Sequence, residues 1–199
     1  MFSAIMRSVS DAPTQDIIDT FVGSAHGDFA KVKELLAPYP GLINRSASWV
    51  ETAIEAAAQT GQVEIAEFLL EHGAPKSICT AAMLGHIEEV AQALHQDPNQ
   101  ANAKGAHGIS VLYHAVIRGQ AGIAQMLLDY GADLNAGAGG SPALHGAVMF
   151  DKPDMAEWLL ARGADVNILN YERKTPLKAA IDMKREAVAQ VLRMHGGKE

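Results

Sequence analysis

GISVLYHAVIRGQAGIAQMLLDYGADLN, residues 108–135, reads as two short helices and their turns. Ser110 can cap the first, because its hydroxyl accepts from backbone N–H groups that a first helical turn leaves without partners. That helix carries Leu112, Ala115 and Val116 on one side, and Gly119 breaks it. The second carries Ile123, Ala124, Leu127 and Leu128, which is i, i+4 spacing with neighbours and so gives one apolar face. Gly131 stops it, since glycine accepts the positive φ of a helix C-terminus. Both helices fall short of the roughly 12–15 residues at which an isolated helix becomes stable, so the pair must pack on something.

The rest of the chain supplies the packing, because the same plan recurs. IIDTFVGSAHGDFAKVKELL (17–36) breaks at Gly27, and Pro38 and Pro40 then stop the helix. WVETAIEAAAQTGQVEIAEFLLEHGA (49–74) has Thr52 as cap, Gly61 as break and Gly73 as stop. SICTAAMLGHIEEVAQALHQDP (77–98) breaks at Gly85. PALHGAVMFDKPDMAEWLLARGADVN (142–167) has Asp151 where the glycine belongs, and TPLKAAIDMKREAVAQVLRMHG (175–196) has Lys184 there. The breaks at 27, 61, 85, 119, 151 and 184 are spaced 34, 24, 34, 32 and 33 residues apart. A period near 33 marks a solenoid whose units bury their apolar faces on one another. Ile65, Leu69, Leu112, Leu127, Leu144, Leu159 and Leu177 are the expected core.

Leu144-His145-x-Ala147, Thr175-Pro176-Leu177, the two runs Gly-Ala-Asp-Leu-Asn (131–135) and Gly-Ala-Asp-Val-Asn (163–167), and Gly85-His86 together resemble the ankyrin repeat. The resemblance covers residues 17–196. It implies an all-α ankyrin-repeat solenoid of stacked helix-turn-helix repeats joined by short β-hairpin loops. Residues 1–16 are then a flexible lead-in, and 17–199 one domain of six repeats: 17–47, 48–75, 76–103, 104–136, 137–168 and 169–199. The outer two repeats act as caps, and polar Lys184, Arg185, Glu186, Gln190 and Arg193 are expected to solvate the second helix of the last. Hairpin fingers and first helices line a concave face that, in the family, usually binds proteins.

Composition bounds the function. The chain has 199 residues, 48% of them hydrophobic, and a net charge of −7, which argues against a general nucleic-acid binder. The charge is uneven: residues 173–199 hold seven Lys/Arg and three Asp/Glu, residues 1–172 nine and twenty. A solvated basic end explains this imbalance. The lone Cys79 permits no internal disulfide and fits a reducing compartment. The N-terminal MFSAIMRSVSDAPTQD lacks a charged start with a sustained apolar run, so no signal peptide is expected. No apolar run approaches the roughly 18 residues of a membrane span.

Sharper chemistry finds little support. His107, His114 and His145 can be imagined around a metal, but no HExxH or Cys/His spacing exists, and His145 matches the family's structural histidine. Ser110 or Ser141 lacks the G-x-S-x-G context of a hydrolase nucleophile. Cys79 stands among apolar neighbours as an inert thiol. Asn135 and Asn167 sit where some family members resemble substrates of an asparagine hydroxylase, but a structural turn role suits them better.

The resemblance implies that partner contacts fall at the hairpin tips and just before each break. At the tips these are Trp49, Glu51, His107, Ile109, Tyr171, Glu172 and Lys174; before the breaks stand Ala25-His26, Gln59-Thr60, Met83-Leu84, Ile117-Arg118, Met149-Phe150 and Asp182-Met183, with Met83, Leu84, Arg118, Met149 and Phe150 as the expected contacts. Many are apolar, as at interaction sites, although Leu84, Ile117 and Met149 can instead turn inward. The interval from Gly61 to Gly85 is about nine residues short, so the finger there should be absent. A notch is expected, with Met83 and Leu84 as its floor and Trp49 and His107 to either side. The resulting expectation is a cytoplasmic, monomeric, non-catalytic module for an unidentified protein, with no cofactor, metal, nucleic acid or membrane. The alternative is an intracellular inhibitor or scaffold that masks an enzyme. An enzyme with a site on the concave face would need convergent polar residues in a pocket.

Overall fold

Short amphipathic stretches fold as six successive helix pairs in the computed structural model, which describes residues 12–199. The pairs are α1 (Gln15–Ser24) with α2 (Phe29–Leu36), α3 (Ala53–Gln59) with α4 (Val63–Glu71), and α5 (Ile78–Leu84) with α6 (Ile87–Gln96). Then follow α7 (Val111–Ile117) with α8 (Ala121–Asp129), α9 (Ala143–Met149) with α10 (Pro153–Leu160), and α11 (Pro176–Asp182) with α12 (Glu186–Met194). Most of the expected lead-in lies outside the described residues, and α1 takes in its last two, Gln15 and Asp16. Ser77, Ser110 and Thr175 cap their helices by accepting from the N–H three residues on. At Thr52 the capping group is Glu55, whose carboxylate accepts from the Thr52 N–H at 2.9 Å. The break turns at Gly61, Gly85 and Gly119 have φ of +68°, +83° and +73°; Asp151 and Lys184 hold the same left-handed conformation at +51° and +57°.

The expected core residues, from Ile65 to Leu177, are all buried. Alanines keep neighbouring first helices close: Ala53, Ala56, Ala57 and Ala58 are buried along one of them. Among the described residues no strand forms. Two of the fingers close on a single antiparallel bridge each, Ser46 with Thr52 and Lys104 with Ser110. Side-chain carbonyls of Asn102, Asn135 and Asn167 accept the backbone N–H of Asp133, Asp165 and Lys198, at 2.8, 2.9 and 2.8 Å, and so clamp each turn to the next.

One joint differs. Residues 72–77 alone connect α4 to α5, whereas residues 37–52, 97–110, 130–142 and 161–175 make the other links. The short joint changes the stacking register. In the first joint the Gln62 amide donates to the carbonyl of His26 at 3.1 Å, break turn on break turn. In the third, Gly85 faces Gln120, which would stand 2.6 Å from a Cβ built there. Gly61 instead faces the ends of α7 and α9: a Cβ there would lie 3.3 Å from Arg118, 3.6 Å from Phe150 and 3.7 Å from Ile117. The core accordingly divides. One part runs from Ile18 to Ala74 and takes in Met83, Ile109, Tyr113 and Ile117. The other runs from Cys79 to Leu192. The first two repeats therefore close over the inner face of the third and fourth.

That arrangement corrects the expected notch. The finger is missing, but Met83 is fully buried and Leu84 half-buried, because the second repeat fills the space a finger would have held open. What remains at the joint is a cavity of about 180 Å³ lined by Thr52, Ile54, Glu55, Pro75, Lys76 and Ser77.

Candidate functional site

The inner face stays open at its C-terminal end. There α9 and α11 and the fingers before them line a cavity of about 230 Å³. Its walls include Tyr113, Val148, Met149, Tyr171, Ala179 and Met183. Tyr171 is 67% exposed, Met183 45% and Met149 41%, so the apolar mouth faces solvent. Tyr113 stands at the base, 4% exposed, and its hydroxyl donates to Met149 Sδ at 3.8 Å. Burial and the neighbouring Tyr171 hydroxyl push the Tyr113 phenol up to about 12, so it remains a donor.

Charges on the finger side of the mouth are mutually satisfied. Lys174 Nζ lies 3.1 Å from Asp182 and 3.2 Å from Glu172, and those bonds raise its pKa. Lys178, and then Lys174, hold the Asp182 carboxyl below the usual range. At the break turns, Arg185 before α12 lies 3.8 Å from Asp151 of the preceding turn. Lys184 and Arg185 thus belong to the turn before α12 and not, as expected, to the helix; Glu186, Gln190 and Arg193 do lie on it, exposed.

The expected contact residues separate into three groups. Met149, Tyr171, Glu172 and Lys174 meet at this mouth, while exposed Arg118 and half-buried Phe150 stand beside Gly61. Met83 and Ile109 are buried against the second repeat and Leu84 is half-buried beside them, while Glu51 is buried under its own partners, so these four offer little surface. Trp49 and His107 remain exposed, but both lean on Glu51: Trp49 Nε1 donates to its carboxylate at 2.7 Å, and His107 Nε2 lies 3.6 Å away. Gln59 also donates to Glu51, and His26 Nε2 stands 3.5 Å off. This cluster straps the first finger to the one before α7. Sequence reasoning missed Tyr113 and Arg185. Nothing but its hydroxyl separates Tyr113 from the apolar residues around it in the sequence.

Two family models match the chain: one described as Ankyrin repeats (3 copies) over residues 78–170, the other as Ankyrin repeat over residues 51–81. The chain belongs to the ankyrin-repeat family. Over 74 residues it is also 40% identical to the NAD-capped RNA hydrolase NUDT12 of Macaca fascicularis and of Pongo abelii, and 39% to that of Homo sapiens. The shared stretch is 37% of this chain and 16% of each relative. The ankyrin stack here thus spans a small part of the length of those curated relatives.

Several side chains now have ankyrin roles. His145 Nε2 meets the carbonyl of Ile168 at 2.9 Å, tying its helix to the neighbouring finger, and burial lowers its pKa. His114 Nδ1 meets the carbonyl of Ser110 at 2.8 Å and is likewise lowered by burial. A lowered pKa keeps each imidazole neutral at pH 7. Burial raises the Cys79 thiol to about 12, which leaves it without nucleophilic thiolate. Asn135 and Asn167 are clamps between turns. Among the described residues, no group of three or more His, Cys, Asp or Glu is placed to hold a metal, and no helix is long and apolar enough to cross a membrane.

Proposed function

We propose that this chain is a non-catalytic protein-interaction module whose partner docks in the C-terminal half of the concave groove. The carrying observation is the open cavity of about 230 Å³ whose apolar mouth is held on helices and a tied finger. Preorganised apolar anchor points of this kind dominate interface energetics. The contact residues of this reading are Arg118, Met149, Phe150, Tyr171, Glu172 and Lys174, joined by Tyr113 and Met183. Residues 17–199 act as one domain of six repeats, monomeric and cytoplasmic, with no cofactor, nucleic acid or membrane as ligand. The test is affinity capture with Tyr171→Ala and Met183→Asp as loss variants. Met194→Ala, 69% exposed and away from the groove, is the control. Equal capture of the same partner by all three would sink the reading.

A second reading has one observation in its favour. The relatives join an ankyrin stretch like this one to a protein named as a hydrolase. On that reading the chain is a scaffold or inhibitor that holds or masks an enzyme. Titrating the captured partner's own activity separates masking, which lowers it, from tethering, which does not.

A further inference from the structure

We infer that the groove takes the side chain of a tyrosine from an uncharged segment of a partner protein; this rests on the groove being the binding site. Two side chains more than nine-tenths buried, His145 and Asn170, line the cavity of about 230 Å³ beside its methionines and valine. Each is held at one end and free at the other. His145 Nε2 donates to the carbonyl of Ile168 at 2.9 Å, so Nε2 carries the ring proton. Burial keeps the ring neutral, which leaves Nδ1 as a bare acceptor. Asn170 Oδ1 accepts from the N–H groups of Glu172 and Lys174, both at 3.0 Å, which fixes the amide and leaves its NH2 as a donor. Among the described residues neither Nδ1 nor that NH2 has a hydrogen-bond partner, and neither is sealed from solvent.

The free Nδ1 has a local cause. Glu55, Thr80 and His145 share one repeat position, three residues after the residue that caps the helix. Glu55 bonds the Thr52 hydroxyl at 2.7 Å, and Thr80 the Ser77 hydroxyl at 3.1 Å. The cap before His145 is Pro142, which has no hydroxyl to offer. A tyrosine side chain answers what the cavity presents. Its ring suits the methionine, valine and alanine walls, and its hydroxyl can donate to Nδ1 and accept from the amide. Tryptophan only donates, and phenylalanine does neither. Charge settles the flanks: Glu172 and Asp182 at the mouth are matched by Lys174 and Lys178, so none is left over to hold an acidic or a basic neighbour.

The probe is acetyl-Gly-Ser-Tyr-Ser-Gly amide, titrated into the full chain. It is followed by the amide shifts of Gly140, Tyr171 and Met183 and by the nitrogen shift of His145 Nδ1. Comparison peptides carry Phe, Trp or phosphotyrosine in place of Tyr. The Tyr peptide should move all four signals, Nδ1 upfield as it accepts a hydrogen bond. Phe for Tyr should weaken binding about tenfold, because the buried acceptor is left unpaired, and should leave Nδ1 in place. Phosphotyrosine should bind no better than Phe, since the lysines at the mouth are already paired. Asn170→Asp keeps an acceptor for both backbone N–H groups but loses the free NH2, so it should weaken the Tyr peptide and not the Phe peptide. If Phe or Trp binds as tightly as Tyr at the same amides, the tyrosine is overturned and the groove stands. Tighter binding of phosphotyrosine, or a Tyr preference with Nδ1 unmoved, overturns it as well. If no peptide moves those amides up to its solubility limit, the groove reading falls too.

Discussion

The same repeat position has two fates in this molecule. Met83, Ile117, Met149 and Asp182 each lie two residues before a break. In the third and fourth repeats Met83 and Ile117 are fully buried; in the fifth and sixth Met149 and Asp182 face solvent. Sequence character does not explain the difference, because Met83 and Met149 are the same amino acid. The packing of the second repeat does. Joined to α5 by residues 72–77 alone, the second repeat rests against the ends of α7 and α9 and covers half of the groove. Contacts between repeats far apart in the chain thus decide which half of a repetitive face becomes a site.

The largest expected effect tests that covering directly. Ile117→Ala and Met83→Ala should each cost about 2–5 kcal/mol, as core truncations do. Met149→Ala and Met183→Ala should stay within about 0.5–1 kcal/mol, as exposed substitutions do. Urea titration of the four proteins checks this. Equal costs at Ile117 and Met149 would mean that the second repeat does not rest on the inner face.

Acid should distinguish the fourth and fifth repeats from the first next. The imidazoles lowered by burial, His114 and His145, both lie in the fourth and fifth repeats. Below the ordinary histidine pKa of about 6.5 the unfolded chain binds protons that these buried rings refuse, so stability falls as pH drops through 6 toward their folded values. Hydrogen exchange should show α7 and α9 losing protection between about pH 7 and about pH 5 while α1 and α2 keep theirs. His114→Gln with His145→Gln should flatten that slope, and a slope left unchanged would place its origin elsewhere.

How much of this was legible beforehand follows from the range of each interaction. Helix limits, caps and core are local and periodic, so Ser110, Thr175 and Leu127 could be read from spacing. The missing finger was readable as a broken interval. Its consequence was not, because whether a shortened joint opens a notch or folds one block onto another depends on contacts between residues far apart, such as Gly61 with Phe150. The site inherited that limit: Tyr171, Glu172 and Lys174 were placed by repeat register, while Met83 was misplaced by the fold-back and Glu51 by the partners that bury it.

The joint itself can be loosened. A flexible Gly/Ser insertion of about nine residues after Pro75 lengthens the link but leaves every packed residue in place. Loop-closure entropy then sets the cost at roughly 1 kcal/mol. The groove mouth, read by Tyr171 and Met183 amide shifts, should not change. A loss several times larger, with Ile117 exposed to exchange, would show that the short link holds the blocks together and the contacts between them do not.

The smallest expected effect lies at the finger tips, where one backbone shape carries different residues in the two halves. Val50, Gly108 and Arg173 each sit two residues before the residue that caps the next helix, and all three have positive φ: +62°, +72° and +58°. Glycine adopts this region freely, whereas a β-branched residue is a true outlier there. The left-handed conformation costs an ordinary residue about 1–2 kcal/mol, and the greater freedom of an unfolded glycine takes back about 0.4–1 kcal/mol. Val50 is 82% exposed, so little packing is lost with its side chain. Asp19 also holds the finger through the Ser48 N–H at 2.8 Å, independently of position 50. Val50→Gly should therefore stabilise the protein by about 0.5–1 kcal/mol, Arg173→Gly by no more, and Gly108→Val should destabilise it by a similar amount. Thermal unfolding of the three variants checks the set. A destabilising Val50→Gly would mean that the valine makes a contact its exposure hides, and the first finger, beside Trp49, would then join the groove as a working surface.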